Sequence, residues 1–538
     1  MTSDKDRETS AKIMSDRGRV HGITSINDRS ITRSNVSRFD IWSKDAYCVL
    51  FTKDVRKMGN ELTNVLDFIA RFLLIAVLGF YILSIYMIQK DNLGANMVVL
   101  GTIGFVAMVW LFWKVSRSVK TDRAGLILTL CAEAFVLIIW NLIYKPVPVS
   151  DYQVLWEGAE RIVDGTFRSE AADVTDYFFF YNFQIGYTMY MAILMKLFGG
   201  SLVSLKIAEI VVMTLTVGVL YKTVRLFANV QDSIFCGLVF SFYPFIFLGS
   251  GIINNQHEAL LFEALAVFFY LDRKTHHAIW SGVFITVAQI MRPTAMVILL
   301  AMIVCSVIYG IVKKDKWSFV KAAEVLGTYE MLFNVVNAIL IGTGYAPYGI
   351  KGTNPYFKLA LGLTGQGITG QGVTDARHTE LYYDLQTYNF DYNAYKDAAK
   401  TYFTNLLSTH GFNYNWIWNK VIDFAGSLDN QYGFADGGFN SAHPVVVGFL
   451  NMIGLLVYFT SIVFSFIYAI LKKTIVKDEQ MMLFSLIYGA YFIVYIFIEK
   501  QPRYRYEQYY FLIILGLPIA VKAAKWLRVW IHRAGASM

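Results

Sequence analysis

Polar and apolar positions along this chain separate into long blocks instead of alternating at the spacing of surface helices. Apolar runs of about 20 residues, the length that crosses a bilayer, fall near 66–88, 94–113, 124–144, 202–221, 232–250, 256–271, 277–291, 293–312, 317–342, 444–471, 481–498 and 508–527. In lipid each backbone polar group must be satisfied within its own segment, so such runs predict helices. The pattern therefore predicts an all-α polytopic membrane protein with about 12 transmembrane helices. One further stretch, 181–198, carries Asn182, Gln184, several tyrosines and Lys196. It reads as an amphipathic helix lying in the outer interface.

Charge sets the orientation. With the N-terminus inside, every even-numbered helix ends on a basic cluster, for example Lys114 with Arg117, Lys222 with Arg225, and Lys472 with Lys473. That is the positive-inside pattern, and a span at 181–198 would spoil it. Both termini are predicted to be cytoplasmic, in a multi-pass protein of the plasma membrane. The chain then divides into a cytoplasmic extension at 1–65 and two additional transmembrane helices at 66–123. A core follows at 124–342, with a first extracytoplasmic loop at 145–201. A large extracytoplasmic loop region spans 343–443, and 444–538 holds the C-terminal helices and a short tail.

Composition agrees with lipid as the solvent. Of 538 residues 56% are hydrophobic and 16% charged, against about 25% charged in soluble proteins. The net charge of +8 sits at helix ends and does not call for nucleic acid. Of the cysteines, Cys131, Cys236 and Cys305 lie in apolar blocks and Cys48 in the extension, so no disulfide framework is expected.

Candidate chemistry gathers on the outer side. The first loop opens VPVSDYQVLWEGAERIVDG. Ser150 and Gln153 have capping-box spacing, and Asp151 begins the helix. An acid there also complements the helix dipole, so pattern alone leaves two roles open. Glu258 falls at the outer end of the sixth span beside Asn255 and His257; an acid at that depth is costly unless paired or functional. The segment EKQPRYRYEQYY places Glu499, Lys500, Arg503, Tyr504 and Arg505 outside, against the positive-inside trend, and Arg292 sits in the tight turn MRPT. Arginine offers bidentate, charge-assisted bonds to phosphate. No metal-ligand spacing, phosphate-binding glycine loop or dinucleotide fingerprint occurs. No cofactor is predicted, and the sequence leaves a divalent metal open.

These pieces resemble the GT-C membrane glycosyltransferases, closest to the protein O-mannosyltransferase and aminoarabinose transferase branch. The resemblance covers roughly 124–527. It rests on DYQVLWEGAERIVDG, YNFQIGYTMYMAILMKLFG, NNQHEALLFEALAVFFYLDR, QIMRPTA and EKQPRYRYEQYY, in the family's order. It implies a polyprenyl-phosphate sugar donor and an extracytoplasmic acceptor, a cell-envelope glycan, lipid-linked polymer or protein. Asp151 and Glu258 would be catalytic. Arg292, Arg503, Arg505 and Lys500 would hold the donor phosphate, with Asn255, His257, Glu499 and Tyr504 also at the active site. The two helices before residue 124 depart from the family, and so does a single Asp followed by Tyr152 in place of an acidic pair. A lipid-linked oligosaccharide ligase or polymerase, and a secondary transporter, remain the alternatives.

Overall fold

The protein is described from a computed structural model covering residues 40–167, 175–272, 274, 276–351, 354–364, 391–410, 414–428, 439–498 and 501–536. Two units separate, Met1–Met58 and Gly59–Met538. Of the first, only the helical stretch from Asp40 is described, and every span and site lies in the second. Among the described residues the chain is helical, with no strand.

The order opens with α1 (Asp40–Gln89), whose apolar span is Asn60–Gln89, followed by α2 (Ala95–Ser118) and α3 (Asp122–Ile143). The 145–201 segment holds α4 (Asp151–Val163) and α5 (Ile185–Phe198). Next come α6 (Leu202–Arg225) and α7 (Val230–Ser241), which bends by 54° into a short continuation ending at Gly251. Then follow α8 (Asn255–Leu271), α9 (His277–Met291), α10 (Ala295–Lys313) and α11 (Lys316–Gly342). The 343–443 segment carries α12 (Pro355–Thr364), α13 (Tyr392–His410) and α14 (Tyr414–Gly426). Three long helices close the chain: α15 (Pro444–Leu471), α16 (Glu479–Phe497) and α17 (Tyr506–Ala536).

All twelve apolar runs are helical, but they are not equal. Nine helices among the described residues are long and apolar enough to cross a membrane, ten if the bent α7 unit counts as one span. The remaining two runs are α8, of 17 residues, and α9, of 15. At 1.5 Å per residue they reach about 22–26 Å, short of a core of about 30 Å. A count of twelve is therefore not reached on length and composition. Helix α5 has 14 residues, again too short to cross. It buries Tyr187, Met191 and Met195 in the protein and exposes Ile193, Leu197 and Phe198 on the other side.

Several helices open on a side-chain cap. Asn229 accepts from the Asp232 N–H, Asn254 from that of Gln256 and Asp478 from that of Met481, satisfying donors the first turn leaves open. The box expected at Ser150 does not form. Its side chain caps nothing, and its backbone sits at φ 52°, ψ −130°. Gln153 reaches forward to Glu157 instead, at 2.8 Å.

Helix α1 is stitched into the bundle. The Asp67 carboxylate accepts from the backbone N–H groups of Ile475 and Val476, at 2.6 and 3.2 Å. Gln89 donates to the Gly426 carbonyl at 2.7 Å, and Phe80 meets Trp418 edge-on. Helix α2 leans on α15 through Gly101 and Gly104, where a Cβ would strike Met452 and Phe449. A second small core of Phe179, Phe180, Phe357, Tyr392 and Tyr395 joins the 145–201 segment to α12 and α13.

Candidate functional site

A cavity of 190 Å³ lies where the N-terminal ends of α4, α8 and α10 meet the Gln501–Arg505 turn and α12. Asp151, Asn255, Arg292, Arg503 and Tyr504 line it together. These residues are up to 353 positions apart in sequence, from 151 to 504.

Asp151 stands exposed at the first position of α4. The next residue, Tyr152, is buried and directs its hydroxyl to Arg503, whose Nη1 donates to it at 2.6 Å. The α4 helix is thus tied to the Gln501–Arg505 turn beside the acid. Its apolar face of Tyr152, Leu155, Gly158 and Ala159 is buried in protein. A Cβ at Gly158 would strike Phe178 at 2.7 Å.

Arg292 is held from two sides. Its Nη1 donates to Asn255 Oδ1 at 2.9 Å, and its Nε lies 3.2 Å from Glu507 Oε1, an ion pair with geometry short of a hydrogen bond. Burial would lower the guanidinium's affinity for its proton; the Glu507 carboxylate reverses the sign and raises it. Asn255 in turn donates to Gln184 Oε1 and the Met291 carbonyl. Gln256 donates to the Arg503 carbonyl at 3.0 Å. The Tyr504 ring stacks on Tyr495 and lies 5.2 Å from Arg292 and 5.8 Å from Arg503. Two guanidiniums flank one ring, an arrangement suited to a planar-edged anion.

Other predicted residues sit elsewhere. Arg505 is fully buried and does not line the cavity. Its guanidinium donates to the carbonyls of Pro502, Ala425 and Ser427, and it faces the Tyr458 ring at 4.9 Å. Its donors serve backbone acceptors, so the geometry gives it a holding role in place of phosphate contact. Glu258 and His257 are buried beneath the cavity: Glu258 is hydrogen-bonded to Glu209, and His257 Nδ1 contacts the same Glu209 carboxylate. Burial, then the nearby Glu258 and Glu209 carboxylates, push the Tyr190 hydroxyl on α5 above its ordinary range. Glu499 and Lys500 lie outside the described residues. Among the described residues no three His, Cys, Asp or Glu side chains group as metal ligands.

One charged lining residue escaped the sequence reading. Lys358, on α12, lines the cavity and lies 5.0 Å from the Tyr181 ring. It sits in NPYFKLALGLTGQG, a stretch notable in sequence for its glycines. A lone lysine in a long loop carries no signal by itself; only the fold of that loop brings it here.

Residues 185–337 match the family model for dolichyl-phosphate-mannose-protein mannosyltransferase. That match supports a membrane glycosyltransferase of the GT-C type. It takes in α5, the start of α8 and Arg292, and stops short of Asp151 and of Arg503. No curated protein and no solved structure matches the chain. Together with the apolar helices, the match supports a multi-pass membrane glycosyltransferase.

Proposed function

We propose that the protein transfers one sugar from a polyprenyl-phosphate donor to an acceptor met outside the membrane, a cell-envelope glycan or lipid-linked polymer. The observation that carries this is the convergence of one exposed carboxylate, Asp151, with Arg292 and Arg503 in a single cavity at helix ends. In this reading Asp151 removes the proton from the acceptor hydroxyl as its oxygen bonds to the anomeric carbon. The bond from that carbon to the phosphate oxygen breaks, and polyprenyl phosphate leaves with the electron pair. A phosphate needs charge stabilisation and no proton to depart. Arg503 supplies that stabilisation, with Arg292 as a second, partly neutralised cation. The prenyl chain would lie between helices, with its phosphate at the extracytoplasmic interface.

Purified protein offered a panel of synthetic polyprenyl-phosphate sugars and envelope-glycan acceptors tests this. The expected result is consumption of one donor with release of polyprenyl phosphate in equal amount. Consumption of no donor with any acceptor, by protein that remains folded, would overturn the reading. A transporter would give that result, and its site would be sought near mid-membrane, whereas these charges gather at helix ends.

A further inference from the structure

A second and larger hollow lies along α2, α7, α15 and α17. It has a volume of 1130 Å³, beyond the roughly 300–1,000 Å³ of most small-molecule sites. Small residues leave it open: Ala107 on α2, and Gly516, Ala520 and Ala523 on α17. Its length is apolar, and its charged lining residues are confined to one end. There stand Lys114 and Arg117, with Trp110, Trp113 and Trp526.

That end is built. Arg117 packs over the Trp113 ring at 3.8 Å and pairs with Asp232 at 2.6 Å, while its buried Nε has no hydrogen-bond partner. Lys114 lies 4.0 Å over Trp110. Asp232 balances Arg117, so Lys114 leaves the end with an excess of one positive charge. Exposed Lys522 and Lys525 on the same turns of α17 add to it. Tryptophan beside lysine at a helix end marks the headgroup level of a bilayer.

The groove is not the donor cavity. Tyr506, where α17 starts beside Arg503, and Trp526 are 20 residues apart on one helix. That is about 30 Å, the thickness of the hydrocarbon core.

We propose that this groove is a binding site for an anionic phospholipid of the leaflet facing Lys114. The acyl chains lie along α2 and α17, and the phosphate meets Lys114, beside the Asp232-paired guanidinium of Arg117. The charge excess selects an anionic head over a zwitterionic one, and the apolar length selects a chain-bearing ligand over a soluble anion. The site is independent of the sugar-transfer reading, since it uses none of that cavity's residues.

Native mass spectrometry of the detergent-purified full chain, titrated with phosphatidylglycerol or phosphatidylcholine of identical chains, tests it. The expected result is about fivefold or more preferential retention of one phosphatidylglycerol. Lys114→Gln should bring that retention down to the phosphatidylcholine level. Ala107→Trp, which fills the groove from an exposed position and leaves the cations in place, should abolish both adducts with the melting temperature kept. Equal retention of the two lipids by wild type would overturn the proposal. So would an undiminished phosphatidylglycerol adduct on Ala107→Trp, or a dimer mass without lipid, which would give the groove to a second copy of the chain.

Discussion

Ser150 holds a backbone conformation that favours glycine, at a cost of about 1–3 kcal/mol, one residue before the proposed base. The strain aims α4 so that Asp151 faces the cavity while Tyr152 turns inward to Arg503. Asp151→Asn keeps the size but cannot take a proton. It should lower turnover by about two to four powers of ten with the melting temperature unchanged; full turnover would move the base elsewhere. The two arginines of PRYR should separate cleanly. Arg503→Ala should raise the donor concentration needed and lower turnover, with lysine rescuing only partly because it lacks the fork. Arg505→Leu strands three backbone carbonyls and should instead lower the melting temperature, each lost charged bond being worth about 1.5–3 kcal/mol. Donor titration and thermal melting of both variants check this, and a melting loss confined to Arg503→Ala would reverse the two roles. Sequence alone could not divide these arginines, because residues two apart on one turn differ only in what the rest of the fold brings to each.

Elements were the most legible scale, because burial in lipid demands long apolar helices and these leave an unmistakable pattern. What sequence did not carry is which helix ends converge. Lys358 enters the cavity because α12 is clamped: Lys420 on α14, itself buried, donates its ammonium protons to the carbonyls of Gly362, Ile496 and Ile498. Nothing in NKVIDF announces that a lysine caps the end of α16, five residues before Arg503. The clamp is close, for a Cβ at Gly362 would lie 2.0 Å from the Phe497 carbonyl oxygen. Lys420→Met should therefore act at a distance. Hydrogen exchange in α12 and at the end of α16 should rise, and turnover should fall with it. Methionine keeps the apolar stem, so unchanged exchange would mean that packing alone holds α12. Ser150 failed as a capping box for the opposite reason. Short-range spacing predicted a local bond, and the requirement to orient Asp151 and Tyr152 overrode it.

At the scale of the whole molecule, charge divides the bundle into two unlike ends. At one, pairs cross between neighbouring helices: Arg117 with Asp232, Lys222 and Arg225 with Asp122, Lys321 and Lys472 with the acids that open α16. At the other lie the cavity and the aromatic core shared by the 145–201 and 343–443 segments. The positive-inside rule counts lysines and arginines near span ends and takes little account of acids, so these pairings leave its forecast standing. It assigns the paired end to the cytoplasm, with both termini there, and the cavity to the outside. Single cysteines in a background lacking Cys48, Cys131, Cys236 and Cys305 test this. Asp164 and Asp391 are exposed at the cavity end, and Lys314 is exposed at the other. In intact cells an impermeant thiol reagent should label cysteine at 164 and 391 and spare 314, which should label only after permeabilisation. Labelling of 314 in intact cells with protection of 391 would invert the protein. Asp151 would then face cytoplasmic acceptors, and an envelope acceptor would be ruled out whatever the fate of the sugar donor.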